Sequence, residues 1–135
     1  MKYFGERGYV LGRKGTSWLK YKLSQDRAKA PEGEALKAIH KSGYEWLSES
    51  VELQGDQTEP PVLILLMQTT VALFKLGELP KEQVVQNYEK VNSIANTIVK
   101  ANEDPDKVKQ TQETVMPYVE NIFGKSGAAD CEALV

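Results

Sequence analysis

The 135-residue chain has one cysteine, one histidine and no long apolar run. Each scarcity removes a class of function. A lone Cys131 forms no internal disulfide, so cysteine usage points to no redox compartment. It is read as a small apolar residue on a helix face rather than a reactive thiol. A lone His40 leaves no Cys/His cluster for a structural metal, and it is placed on the solvent edge of its helix beside Lys41. The longest uninterrupted apolar run, Val62 to Met67, is far short of the roughly 20 residues a membrane span needs. The N-terminal stretch MKYFGERGYVLGRK lacks the apolar h-region of a secretory signal. Read alone, it implies a cytoplasmic protein or a fragment that begins after such a signal.

What is present is an ordinary globular composition, 41% hydrophobic and 27% charged, which favours a folded domain over disorder. The net charge of −2 hides an asymmetry. Residues 1–30 carry eight basic and two acidic side chains, so +6, and the remainder nine against seventeen, so −8. A basic first segment can draw anionic partners, although basic and acidic faces of one domain, turned to each other or to water, are the preferred explanation.

The hydrophobic pattern is helical throughout, with no strand-like alternation. Val84, Val85, Tyr88, Val91, Ile94, Ala95, Ile98 and Val99 recur at three- and four-residue steps, and Gln83, Asn87, Glu89, Lys90 and Asn96 take the other side. Pro80 suits the first helical position. The preceding segment, Pro61 to Leu76, is apolar nearly all round and so belongs in the centre. Gly77 is placed as its left-handed stop. The short link between the two predicts an antiparallel hairpin.

Upstream, Leu36, Ile39, Gly43, Trp46, Leu47 and Val51 form a stripe from about Pro31 to Leu53. Downstream, Asp104-Pro105 reads as an N-cap with a first-turn proline. Val108, Val115, Met116, Val119, Ile122 and Phe123 follow on one face, with a kink expected at Pro117 and a stop at Gly124. A helix over Arg7 to Leu23 carries Trp18, Leu19 and Leu23. Its Gly8, Gly12 and Gly15 cost helix stability but suit close approach of another backbone. SGAADCEALV, from Ser126, reads as the opening of a further helix cut short at Val135.

Serial helix pairs with short loops predict a solenoid. Residues 66–91 resemble a tetratricopeptide repeat: Leu66, Thr69-Thr70 and Leu73-Phe74 in the first helix, Gly77 and Leu79 in the turn, Tyr88 in the second helix. The turn is longer than in that family, Val84 and Val91 are bulkier than usual, and the pair-to-pair spacing is about 44 residues where the family has 34. The whole chain is also similar to exported tetratricopeptide-like proteins of Gram-negative bacteria of unassigned function. That resemblance implies a periplasmic or envelope location. The expected architecture is all-α: about six helices in antiparallel pairs, stacked as a short right-handed solenoid in one domain, 1–135, that is part of a longer array.

No catalytic constellation stands out. GYVLGRKGTS fails the phosphate-loop pattern, since Lys14 follows no glycine and no strand precedes it. Glu45, Glu49 and Glu52, and Glu103, Asp104 and Asp106, fall on solvated faces and loops without EF-hand spacing. Arg13, Lys14, Lys20 and Lys22 interleave with Trp18 and Tyr21, but the chain is acidic overall and shows no nucleic-acid module. The expected function is therefore a non-catalytic scaffold that needs no cofactor and binds a peptide or protein segment. Its concave face is formed by the first helix of each pair, with Trp18, Lys22, Met67 and Lys75 as candidate groove residues. Two other readings stand beside it: an enzyme completed by a missing domain, and a structural spacer.

Overall fold

Pro60 and Pro61 lack amide hydrogens that the first turn of a helix leaves unpaired in any case, and together they open the central helix behind Glu59. A computed structural model describes the backbone of residues 2–24, 33–101 and 103–123, with side chains over 7–19, 34–101 and 103–120. Every element in these ranges is helical, and no strand occurs among the described residues. Helix α1 is Lys2–Ser24 and α2 is Gly33–Gln54, followed by a 3-10 turn, Gly55–Gln57. Helix α3 is Pro60–Lys75 and α4 is Lys81–Ala101. Helices α5, Pro105–Gln110, and α6, Met116–Phe123, join through a π-helical turn, Thr111–Val115, into one rod. The described chain thus forms five rods. Pro31, Gly124 and the further helix expected from Ser126 lie outside the described residues.

The helix ends follow from local chemistry. Asp104 caps α5 by accepting the amides of Asp106 and Lys107, with Pro105 next in line. Gly77 takes φ +78°, the Gly77 amide donates to Phe74 O and the Glu78 amide to Leu73 O. That pairing is the Schellman closure, in which a left-handed glycine satisfies the last carbonyls of a helix. Pro80 departs slightly from expectation. Its carbonyl accepts the amides of Gln83 and Val84, so it sits just before α4 rather than within it. The rod containing Pro117 answers its missing amide by widening: the Met116 amide reaches back five residues to Thr111 O. A π-turn places an extra residue in the coil, and here it brings both Thr111 and Val115 into the core.

Consecutive helices pack on one another, and α3 touches α1, α2, α4 and the π-turn. Val62, Leu63, Leu66, Met67 and Leu73 of α3 are all buried, as its uniformly apolar composition predicts. A single cluster joins them to Leu19 of α1, Leu47 and Val51 of α2, Val84, Val91 and Ile98 of α4, and Val115 and Val119 of the last rod. Burying one such side chain contributes about 1.5–3 kcal/mol. The seam between α1 and α2 is built on glycine. A Cβ on Gly8 would lie 3.3 Å from Ser50 O, one on Gly15 3.4 Å from Gly43 O, and one on Gly43 2.7 Å from the Leu19 side chain. The three α1 glycines therefore do face another helix closely.

One polar residue is misplaced by its periodicity. Asn87, assigned to the solvent side of α4, is only 5% exposed. Its Nδ2 donates to Tyr44 Oη on α2 at 2.8 Å and to Thr70 Oγ1 on α3 at 3.0 Å, while its Oδ1 accepts from Gln83 Nε2 at 3.0 Å. Three helices meet at this amide, and burial is tolerable because its donors and acceptor are all engaged.

Candidate functional site

Tyr9, Arg13 and Thr16 are spaced i, i+4 and i+7, so they form one row along α1. It lies one position beyond the row of Gly8, Gly12 and Gly15 that faces α2. A Cβ on Gly12 would come within 3.1 Å of Val62 Cγ2, so the glycine also lets the start of α3 close on α1. Between them opens a cleft of about 190 Å³, lined by the Tyr9 row together with Gln54, Glu59, Pro61 and Val62.

The walls have distinct chemistry. The Arg13 guanidinium lies over the Tyr9 ring, 5.9 Å from its centroid, a cation–π arrangement that leaves the charge exposed. Glu59 supplies the opposite charge from the other side, and Pro61 and Val62 give an apolar patch. Tyr9 is 46% exposed and its neighbour Val10 60%, the two large hydrophobic side chains most open to water among the described residues. Glu59 also acts towards α5: with Asp104 and Asp56 it opposes the burial that lowers the Lys107 ammonium from its ordinary range.

Of the four residues expected to share a groove, the three whose side chains are described occupy different settings. Trp18 is half-buried. Its Nε1 donates to Ile39 O at 3.0 Å and its ring meets Trp46 edge to face, with centroids 5.5 Å apart. It ties α1 to α2. Met67 is 0% exposed within the core cluster, so it lines no open surface. Lys75 is exposed at the end of α3. Lys22 belongs to α1, and its side chain lies outside the described residues. The cleft was legible in principle: the row beside a glycine row is the one left standing at the edge of a close helix contact.

The remaining polar groups read as structure. GYVLGRKGTS lies wholly inside α1, where its backbone amides serve the helix instead of cradling a phosphate. Lys14 Nζ sits 4.3 Å from the Trp46 ring centroid. Glu49 pairs with Arg7 at 2.8 Å, and Glu52 pairs with Lys90, both across helices and both solvated. His40 is more enclosed than its place beside Lys41 implied. Its Nδ1 is buried without a hydrogen-bond partner, and burial pulls its pKa below the ordinary value. Among the described residues no group of three or more His, Cys, Asp or Glu side chains is placed to hold a metal, and no helix is long and apolar enough to cross a membrane.

No protein-family model, curated protein or solved structure matches the chain.

Proposed function

We propose that the chain is a non-catalytic helical-repeat scaffold that binds a peptide or protein segment, and that the α1–α3 cleft is where the segment docks. The observation that carries this reading is the exposed Tyr9 in the lining of a cleft with Arg13 on one wall and Glu59 on the other. An open cleft of about 190 Å³ is too small to enclose a cofactor or other drug-sized ligand, for which roughly 300–1,000 Å³ is usual. It suits one or two side chains of a longer partner. Aromatic and arginine side chains are the commonest energetic anchors of such contacts, and the paired charges would set the direction of the bound segment.

The tetratricopeptide-like arrangement is part of the same proposal. Support comes from helices that pack on their neighbours in chain order, and from a cleft formed between α1 and α3, the first helices of successive pairs. The proposed location, from the resemblance to exported proteins alone, is the bacterial periplasm or envelope, with the cytoplasm as the alternative.

The test is selection from a random peptide library on the full chain, followed by Kd measurement for Tyr9→Ala and Arg13→Glu. Enriched peptides should combine a large apolar residue with an acidic one. Each variant should weaken them at least about tenfold, a loss of roughly 1.4 kcal/mol, and Arg13→Glu should also remove most of the salt dependence. The proposal fails if no sequence is enriched, or if the enriched peptides bind both folded variants as they bind the parent.

A further inference from the structure

A second cavity, of about 180 Å³, lies away from the cleft, between α2 and the α3–α4 turn. Lys41, Tyr44 and Glu45 form one side, and Leu73, Glu78 and Leu79 the other. Its lining is mainly apolar, and two features define what it can hold.

The first is a hydrogen-bond donor fixed by elimination. Thr70 Oγ1 donates its single proton to Leu66 O, at 2.6 Å. Its oxygen must therefore accept from Asn87, which puts the amide nitrogen, not the amide oxygen, on that side. The orientation agrees with Asn87 Oδ1 accepting from Gln83. The second Nδ2 proton then goes to Tyr44 Oη. A tyrosine hydroxyl has one proton to give. Tyr44 accepts from Asn87, and its own O–H meets no acceptor among the described residues. Tyr44 is one of the lining residues of this mainly apolar cavity, so that proton is the donor of the Asn87 network left over for a ligand.

The second feature is charge balance. Glu78 lies 3.2 Å from Lys41 Nζ and 3.4 Å from Lys37 Nζ. Counting Glu45, two carboxylates and Lys41 line the opening, and Lys37 balances them from outside the lining through its bridge to Glu78. No net field attracts an ion, and a charged ligand would have to break the Lys37–Glu78–Lys41 bridge. A neutral one would not.

We infer that this cavity is a binding site for a small neutral molecule: one ring or a short branched chain, with a single acceptor oxygen that takes the Tyr44 hydroxyl proton. The volume fits one ring, since an apolar cavity of about 150 Å³ holds benzene. The inference is independent of peptide binding in the α1–α3 cleft.

Acetophenone and toluene are matched probes, a ring with and without an acceptor. Each is titrated into the 15N-labelled full chain, and amide shifts are followed by NMR. Acetophenone should saturate, with shifts centred on 41–45 and 73–79, and bind at least about fivefold tighter than toluene, the gain of one net hydrogen bond. Tyr44→Phe should abolish that preference and leave toluene binding unchanged. Leu79→Trp fills the cavity from its rim and should remove both. Shifts that do not saturate, that fall elsewhere, or a preference that survives Tyr44→Phe would each overturn the assignment. Should Tyr44→Phe disturb the fold, insensitivity of both probes to Leu79→Trp does so instead.

Discussion

Ser50 on α2 donates its hydroxyl proton to the carbonyl oxygen of Gly8 on α1, inside the seam between the two helices. A side-chain hydroxyl reaches a helical carbonyl of a neighbouring helix only when the two backbones lie unusually close, and the glycines permit that. Glycine in a helix interior costs about 1 kcal/mol relative to alanine. The seam returns that cost through contacts a Cβ would forbid.

At Gly43 this trade is measurable. A Cβ there would lie 2.7 Å from Leu19 Cδ2 and Cγ, and Leu19 is 2% exposed, so its side chain has little room to retreat. Overpacking of this kind costs about 1–3 kcal/mol, against a propensity gain of about 1 kcal/mol. Gly43→Ala should therefore lower the urea-unfolding free energy by about 1 kcal/mol. Combining it with Leu19→Ala removes the clash, so the double variant should be at least about 1 kcal/mol more stable than the sum of the single losses. Strict additivity would mean the two residues do not oppose each other.

Trp18 should behave as a fastener rather than as a binding residue. Its indole N–H holds Ile39 O, and its ring meets Trp46. Trp18→Phe keeps an aromatic ring and loses the hydrogen bond, which should cost about 1 kcal/mol. Trp18→Ala should cost about 3 kcal/mol, since it also opens a cavity. Peptides selected on the α1–α3 cleft should bind Trp18→Phe within about twofold of the parent. A large binding loss without a stability loss would return Trp18 to the site.

The contrast between Trp18 and Tyr9 shows where sequence reading succeeds and stops. Helix identity and ends were legible at Gly77, Asp104 and the Pro60-Pro61 pair, because local φ, capping and missing amides act within a few residues. The central place of α3 followed from its composition. The free face of each helix did not follow, because α3 is apolar all round and offers no polar stripe to mark the open side. Met67 was misassigned for that reason. Asn87 was misassigned for another: a polar side chain reads as solvated unless its buried partners, here Tyr44 and Thr70, are known. Those partners sit 43 and 17 residues away.

Two acid limbs should appear in the stability–pH profile. Burial lowers the folded pKa of His40 below 6.5. Between its folded and unfolded values the unfolded chain binds more protons, so stability rises with pH there and falls as pH drops below about 6.5. His40→Gln should flatten this limb. Hydrogen bonds from Lys41, then Lys37, hold the Glu78 carboxyl below 4.5. Its contribution is present above that pH and disappears as pH falls through the folded value. Glu78→Gln should flatten this lower limb, and the effect should shrink in high salt because Lys41 is exposed and Lys37 and Glu78 are partly so. Carboxyl and imidazole NMR titrations check both directions: a His40 midpoint above 6.5, or a Glu78 midpoint above 4.5, would contradict the geometry.

The Asn87 junction predicts an asymmetry that a simple tally of hydrogen bonds would miss. Asn87→Leu removes the two donated bonds, yet strands little: Thr70 still donates to Leu66 O, Tyr44 is half-buried, and Gln83 reaches water. The leucine also fills similar space with apolar atoms. Thr70→Val does the opposite. It is nearly isosteric, but it leaves a buried Asn87 N–H without an acceptor, and such a stranded donor costs about 1–3 kcal/mol. Thr70→Val should therefore destabilise more than Asn87→Leu, by about 1 kcal/mol or more in urea unfolding. Adding Asn87→Leu to Thr70→Val should recover most of that loss, because the stranded group is gone. If Asn87→Leu proves the more damaging change, Asn87 is not oriented with its amide nitrogen towards Thr70, and the free proton assigned to Tyr44 goes with it.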